Sequence, residues 1–270
     1  MLYQKLISSL AALALLAGGS SGALSQETNL NLNFTIPSAL NGGNFELLAQ
    51  AFPPNGSNPP AGPGGGVRGG GSQPINIIPL TPKDEATNIF WGQTLSATPT
   101  FFLYVPTGID KTIKFYLVDE VEGETIYEAF LTPPPSGGIV SVALPKEGGK
   151  TLKEERLYSW HFEIQVNSTE SNLNPLVSGL VRRIAPSPEL SSRLRAATTE
   201  DDRSRIYAAN GLWYDLLATA ATLRSTNPMN WELMLNSVGL GAIAQAPLIT
   251  PPTSITNNNR NLPENRPTPN

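Results

Sequence analysis

Residues 157–166 alternate strictly between apolar and polar side chains, and this alternation is the strongest constraint that the sequence places on the fold. The apolar set is Tyr158, Trp160, Phe162, Ile164 and Val166, and the polar set is Ser159, His161, Glu163 and Gln165. A period of two places the two sets on opposite faces of a β-strand. The segment therefore predicts a strand with one buried face, which needs a second layer to cover it.

Further strand patterns lie on both sides of this segment. They span residues 100–105, 112–119, 125–131, 139–144 and 177–184. The first of them is apolar on both faces, which is typical of a central strand. Six or seven short strands with turn signals about every dozen residues predict an antiparallel, immunoglobulin-like β-sandwich over residues 75–186.

The apolar residues then recur every three to four positions, which indicates helices. Ser187-Pro188-Glu189 predicts an N-cap followed by a first helical turn, and Thr199 predicts a second helix start. The second helix is expected to continue through one apolar stripe, made of Ile206, Ala209, Trp213, Leu216, Leu217, Ala220 and Leu223. A third helix starts at Asn227-Pro228, with Trp231, Leu235, Val238 and Ile243 facing inward. The chain is thus expected to be α+β, with a small C-terminal helical subdomain of about three helices (residues 187–247) packed on the sandwich.

The first 25 residues have the three parts of a secretory signal peptide. Lys5 is followed by an apolar run from Leu6 to Ala17, and small residues precede the expected cleavage after Ser25. The apolar run has about a dozen residues, whereas a membrane span needs about 20. We therefore expect export to the periplasm or the exterior, with no membrane span after the signal is cleaved.

Two segments have the composition of disordered chain. Residues 26–74 and 248–270 are rich in Pro, Gly, Asn and Ser, and within the first of them residues 53–72 read as a flexible linker. Such segments cannot bury enough apolar surface to offset their conformational entropy.

Composition excludes several kinds of chemistry. The chain has no cysteine, so disulfides, a thiolate nucleophile and a zinc–thiolate site are all excluded. Cleavage would remove Lys5 and no acid, leaving 17 basic and 22 acidic residues, a net charge of −5. A mildly acidic protein has no electrostatic footprint for nucleic acid, so none is expected as a partner.

Several short motifs occur in a characteristic order along the chain. They are residues 91–94 (WGQT), 99–106 (PTFFLYVP), 157–160 (LYSW), 179–183 (GLVRR) and 211–215 (GLWYD), and then Trp231 ahead of 238–240 (VGL). This order resembles a mainly cyanobacterial family of exported proteins, domain of unknown function nine-two-eight, over about Gly64 to Leu248. The chain has Gln165-Val166-Asn167 where the resemblance implies a cysteine and an aspartate. The resemblance implies export and a shared fold, and it implies no activity.

His161 is the only histidine in the chain. A Ser-His-acid triad would have to use it, yet no Gly-x-Ser-x-Gly elbow occurs, and one imidazole cannot form a histidine metal cluster. A solvent-facing strand histidine is favoured, and no catalytic residue, metal or cofactor is assigned.

Acidic side chains give two further hypotheses. Asp119, Glu120, Glu122 and Glu124 cluster at a turn, which favours a solvated hairpin over a calcium loop because the ligand spacing of a dedicated loop is missing. Glu163 and Asp215, or two acids of the turn, would form a glycosidase pair only at a separation of about 5 to 9.5 Å. Gly64 to Gly71, with Arg68, is interpreted as linker.

Trp213, Tyr214 and Asp215 are the most suggestive group, and we expect Trp213 in the core and the other two orienting the helix by hydrogen bonds to the sandwich. Candidate contact residues for a partner are Trp91, Phe102, Tyr104, Tyr214 and Asp215. An alternative role is equally compatible with the pattern for Trp91, Phe102 and Tyr104: they could be buried between the sandwich and the helices.

The leading hypothesis for function is a non-catalytic binding module of the cell envelope or exterior, with a protein or glycan partner. Two alternatives stay open: a carboxylate-dependent hydrolase acting on envelope polymers, and a structural envelope component that self-associates.

Overall fold

The computed structural model describes residues 77–84, 87–166 and 173–249, together with the backbone of two short strands at 67–68 and 253–255. The strands are β1 (Val67–Arg68), β2 (Ile78–Pro79), β3 (Phe90–Thr94), β4 (Thr100–Val105), β5 (Ile113–Asp119), β6 (Glu124–Leu131), β7 (Gly138–Ala143), β8 (Arg156–Ile164), β9 (Leu176–Arg183), β10 (Leu248–Ile249) and β11 (Thr253–Ile255). The helices are α1 (Pro188–Ala196), α2 (Glu200–Ala209), α3 (Trp213–Leu223) and α4 (Pro228–Ser237), followed by a short 3₁₀ helix (Gly241–Ile243). The chain is therefore α+β, mostly sheet and then helix.

The larger sheet has the order β1-β9-β8-β5-β6-β11, and β3 also pairs with β9. The alternating segment forms β8 at its centre, and Tyr158, Trp160, Phe162 and Ile164 are buried as predicted. The strand ends two residues earlier than the pattern suggests. Val166 was predicted to face inward, but it lies beyond the strand and is 52% exposed.

The smaller sheet has the order β10-β7-β4-β2. Its strand β4 is buried on both faces because different layers cover it. Phe101 packs on Phe115 of the larger sheet, with ring centroids 5.1 Å apart. Phe102, on the opposite face, packs edge-on against Trp231 of α4. One apolar cluster joins both sheets to α3 and α4, so the sheets and these helices share an interior, as the change of period predicts.

Two strand pairs correct the prediction of an antiparallel sandwich. β3 runs parallel to β9, and β10 runs parallel to β7. Alternation reports which face a side chain occupies and carries no information on the direction of the neighbouring strand. Both parallel pairs join strands that are far apart in the sequence, as parallel pairing requires.

The helical region has four α-helices within the described residues, where about three were predicted. Ser187 and Thr199 cap α1 and α2 as expected, each accepting a hydrogen bond from a backbone N–H. The predicted long helix is broken between Ala209 and Trp213, where Gly211 has a φ of 69°. Ala209 was expected in the buried stripe, and it is exposed at the end of α2.

The remaining differences lie at the C-terminus and at the ends of the sheets. The third predicted helix ends at Ser237, so Ile243 is buried from the 3₁₀ helix instead. β1 lies within residues 26–74, and β10 and β11 lie within 248–270, both of which the composition predicts to be disordered. Pairing to an existing sheet edge supplies the hydrogen bonds that these short segments lack alone. Across the described ranges, no helix combines the length and apolarity of a membrane span.

Candidate functional site

The first turn of α3 fastens the helical region to both sheets. Trp213 Nε1 donates to the carbonyl of Leu80, just after β2 in the smaller sheet, at 2.8 Å. The Tyr214 hydroxyl accepts from Trp160 Nε1 at 2.7 Å and donates to the Leu180 carbonyl at 3.2 Å, both in the larger sheet. Burial raises the pKa of Tyr214 well above its usual value, which keeps the hydroxyl protonated and able to donate. Trp213 is in the core and Tyr214 orients the helix, as the sequence predicts.

Asp215 is the next residue of α3 and faces a different environment. It is half-buried, and its Oδ2 accepts the N–H of Leu95 at 3.0 Å. Burial raises the pKa of Asp215, and hydrogen bonds from the Leu95 N–H and the Thr94 hydroxyl oppose that shift. A carboxylate in the first turn is also favoured by the helix dipole. Asp215 therefore ties α3 to the chain that connects β3 to β4, again as expected.

A pocket of about 170 Å³ opens beside Asp215, between the β3–β4 connection and helices α2 and α3. Its lining residues are Thr94, Ser96, Thr98, Pro99, Thr100, Tyr207, Tyr214, Asp215, Ala218 and Thr219. Seven of these ten residues carry a hydroxyl group, one carries a carboxylate, and none carries a basic group. The pocket thus combines hydroxyl groups with apolar side-chain surface, and Asp215 is the only charged side chain among its lining residues.

The β3–β4 connection is held in place by its own hydroxyls and by an arginine. Thr94 Oγ1 accepts the N–H of Ser96, and Ser96 Oγ accepts the N–H of Thr98. Arg183 donates to the carbonyls of Leu95 and Leu152, at 3.2 and 2.6 Å. These bonds fix the backbone that forms one wall of the pocket, so the wall is largely formed before any ligand arrives.

The hydroxyl wall was not singled out in the sequence, although a signal for it exists. Hydroxyl residues occupy every second position of one short stretch that ends at the first residue of β4: Thr94, Ser96, Thr98 and Thr100. That period places hydroxyls on one side of an extended chain. The sequence does not show that α2 and α3 pack against that side, bringing Tyr207 and Thr219 to the same pocket.

The geometry separates the two acids that were considered as a glycosidase pair. Glu163 pairs with Leu176 on β9. Asp215 bonds to Leu95, and the residue before it, Thr94, pairs with Arg183 on β9. Positions 176 and 183 are seven residues apart, or roughly 23 Å along a strand. A glycosidase pair needs about 5 to 9.5 Å, so these two carboxylates do not form one.

The acidic hairpin, which we define as Asp119 to Glu124, is held by basic side chains. Arg156 Nε lies 3.0 Å from Asp119 Oδ1, and its guanidinium also bonds to Glu122. Asp119 is buried and accepts the N–H groups of Val121 and Glu122, so it shapes the turn instead of being solvated. Across the described residues, no group of three or more acidic or histidine side chains is placed to hold a metal ion.

His161 lies on the face of β8 that points away from the shared core. Its ring stacks on Tyr116 with centroids 4.4 Å apart, and its Nε2 lies 2.9 Å from Ser159 Oγ. Ser159 is buried, and the nearby Glu163 accepts from Asn174. This histidine is therefore half-buried and packed, and it is less exposed than the solvent-facing residue that the pattern favours.

The candidate contact residues divide between core and pocket. Trp91 and Phe102 are buried, Phe102 beneath α4 as the alternative interpretation has it, and Tyr104 is half-buried against the core. Tyr214 and Asp215 both line the pocket. The signal segment and the side chains of the glycine-rich linker lie outside the described residues.

Comparison with known families places most of the chain in one family. The model of the family described as Domain of Unknown Function (DUF928) matches residues 63–248, which is well over half of the chain. A search of curated proteins finds no match. The matched range includes both walls of the pocket and every α-helix described above, so the chain belongs to the DUF928 family.

Proposed function

We propose that this protein is an exported, non-catalytic binding module of the cell envelope or exterior, and that its ligand site is the pocket beside Asp215. One observation carries the proposal: the pocket has a wall of hydroxyl-bearing residues held in place by internal hydrogen bonds, but its lining has a single carboxylate and no histidine. Convergent polar groups in a concave site are what small-ligand recognition requires.

The same observation weighs against hydrolysis at this site. A carboxylate-dependent hydrolase needs one acid to donate a proton and a second acid to activate water or attack. Asp215 has no acidic neighbour in the pocket wall, and the Leu95 N–H already occupies one of its oxygens. The hydroxyls around it are suited to holding a ligand and provide no second acid.

The scaffold and the compartment belong to the same proposal. The contact between Phe101 and Phe115 across the two sheets supports an immunoglobulin-like sandwich as the framework that presents the pocket. The charged, apolar and small-residue parts of the first 25 residues support export, and the lack of cysteine excludes a lipid-anchored product. The partner would be a glycan or a protein that inserts a small polar group into the pocket.

The proposal is tested by binding and turnover measured on the same full chain. Amide NMR spectra are recorded with a chemically diverse set of small polar fragments, and nitrophenyl esters, phosphates and glycosides are assayed for hydrolysis. We expect ligand-induced shifts at residues 94–100, Tyr207 and Thr219, without nitrophenol release. Turnover that is lost in Asp215→Asn, or a pocket that no fragment perturbs, would contradict the proposal.

Export is tested separately. Expression of the full chain in a bacterium with a periplasm should give a processed protein whose N-terminus is Gln26. Recovery of only unprocessed chain in the cytoplasm would contradict the proposed envelope location. It would not contradict the proposed ligand site beside Asp215.

A further inference from the structure

We propose that the pocket beside Asp215 binds one uncharged sugar ring, held by the hydroxyls of the β3–β4 connection and by the ring of Tyr207. This inference rests on the proposed function, since it names the ligand class of the same site. Four properties of the described residues support it: charge, hydrogen-bonding capacity, volume and the presence of an aromatic wall.

The charge of the wall excludes anionic ligands. No lysine, arginine or histidine lines the pocket, and Asp215 is acidic. Arg183, on the β3–β4 side, is occupied by two carbonyls and by Glu154. Arg203, on the α2 side, bonds to the side chain of Tyr207 and lies 3.7 Å from Glu200. A phosphate or carboxylate would therefore meet only cations that already have partners, and it would lie close to a carboxylate, which is unfavourable in a partly buried site.

The hydroxyls match a ligand that both donates and accepts. Ser96 accepts one backbone N–H and keeps an O–H available to donate, whereas the Thr94 hydroxyl is buried and already bonds to Asp215. Among the described residues, no protein group bonds to the hydroxyls of Thr98 and Thr100. Sugar hydroxyls have the same dual character, so a ring bearing several of them can satisfy this wall in either direction.

A primary ammonium fits the wall less well. It offers three donors and no acceptor, so it would leave the threonine and serine protons without a partner. Asp215 is the one group that attracts it, and that carboxylate already accepts the Leu95 N–H. An ammonium ligand is therefore the competing outcome of the test.

The volume and the aromatic wall indicate a single ring. The pocket, at about 170 Å³, is smaller than the roughly 300–1,000 Å³ of sites that take drug-sized ligands, so a longer saccharide would extend into solvent. Tyr207 is half-buried at the wall and contributes a phenol ring beside the polar groups. An apolar face next to a polar rim suits the two faces of a pyranose.

The test uses saturation-transfer NMR and titration on the full chain. The ligands are the methyl glycosides of glucose, galactose and mannose, N-acetylglucosamine, methylammonium and inorganic phosphate. The variants are Thr98→Val and Thr100→Val, which keep side-chain shape and remove hydroxyls that no internal bond uses. Thr222→Val is the matched control, because Thr222 is exposed on α3 outside the pocket and its hydroxyl bonds within the helix.

We expect at least one neutral sugar to bind and each pocket variant to weaken it roughly 2- to 10-fold, while Thr222→Val and the thermal midpoints stay unchanged. Methylammonium binding at Asp215 without sugar binding would overturn the ligand class and leave a binding module standing. Sugar binding that the pocket variants do not alter would place the sugar elsewhere and overturn the inference. If no ligand of any class perturbs residues 94–100, the inference and the proposed function both fail.

Discussion

The first turn of α3 and the acidic hairpin both depend on polar side chains, but they place those groups in opposite surroundings. Tyr214 and Trp160 meet in the core, each about 1% exposed, so their hydrogen bond replaces water entirely. Glu124 and Lys150 meet at the surface, with side chains 64% and 59% exposed. Removing a partner in the core leaves a buried group unsatisfied, whereas water replaces a lost partner at the surface.

This difference indicates at which positions a substitution should reduce the stability of the fold most. The α3 junction, which we define as Trp160, Gly179, Trp213 and Tyr214 with their hydrogen-bond partners, joins two sheets and a helix through few residues. The acidic hairpin shapes one turn of one sheet. We therefore expect steep effects of substitution at the junction and shallow effects at the exposed rim of the hairpin.

The largest effect is expected for Gly179→Ala. An added Cβ would lie 2.7 Å from the Phe90 carbonyl oxygen and closer still to the Trp160 ring. Overpacking of this kind costs about 3 kcal/mol or more when backbone is among the clashing atoms. Urea denaturation measures the loss. Gly92→Ala is the graded control, because its added Cβ meets the Tyr214 ring at 2.9 Å and no backbone atom comes as near. An equal loss of stability in Gly179→Ala and Gly92→Ala would contradict the expectation that a clash with backbone costs more.

Tyr214→Phe is expected to come next, at about 1–3 kcal/mol. It leaves the Trp160 N–H and the Leu180 carbonyl without their buried partner while keeping the ring. The matched control is Tyr104→Phe, since Tyr104 is half-buried and its hydroxyl bonds to none of the described residues. A double-mutant cycle with Trp160→Phe measures the interaction free energy between the Tyr214 hydroxyl and the Trp160 N–H. Additive losses would show that the two side chains do not act together.

A smaller effect, dependent on pH, is expected at Asp215. Because burial raises its pKa above 3.8, the folded state holds the proton at pH values where the unfolded state has released it. The favourable contribution of this group to folding is therefore complete below pH 3.8 and is lost as pH rises through the folded-state pKa. Urea denaturation of the native protein and of Asp215→Asn should show their stability difference shifting against the native protein over that range. A stability difference that shifts in favour of the native protein as pH rises would contradict the raised pKa of Asp215.

The smallest effect is expected for Lys150→Ala at the hairpin rim. The Lys150–Glu124 ion pair, at 2.9 Å, is exposed on both sides. Its loss should change the free energy of unfolding by less than about 0.5 kcal/mol, and high salt should abolish even that change. A loss as large as that of Tyr214→Phe would mean that exposure does not separate the two regions.

The elements that follow from local pattern were predictable, and the break in the long helix was not. β4 forms over Thr100–Val105, the same residues that its composition indicates. The caps at Ser187 and Thr199 also form where expected. The apolar stripe from Ile206 to Leu223 keeps its helical spacing through residues 210–212, so periodicity alone cannot reveal the break. Only the positive φ of Gly211 shows it.

The pocket depends on contacts between distant parts of the chain, which a single sequence does not encode in any local pattern. Asp215 was a candidate from its place beside the apolar stripe, and its hydrogen bond to Leu95 spans 120 positions. The hydroxyls at Thr98 and Thr100 have no special character until α2 and α3 face them. The parallel pairing of β3 with β9 is likewise invisible to alternation.

The last two strands have a consequence for how the chain reaches its final form. β10 pairs with β7 in the smaller sheet and β11 pairs with β6 in the larger one, and both follow the four described α-helices along the chain. During synthesis from the N-terminus, these edges of β6 and β7 stay open until β10 and β11 have been made, and open edges template pairing between molecules. Covering of both edges should therefore follow the synthesis of the helices, and β10 and β11 then protect β7 and β6 from pairing with other molecules.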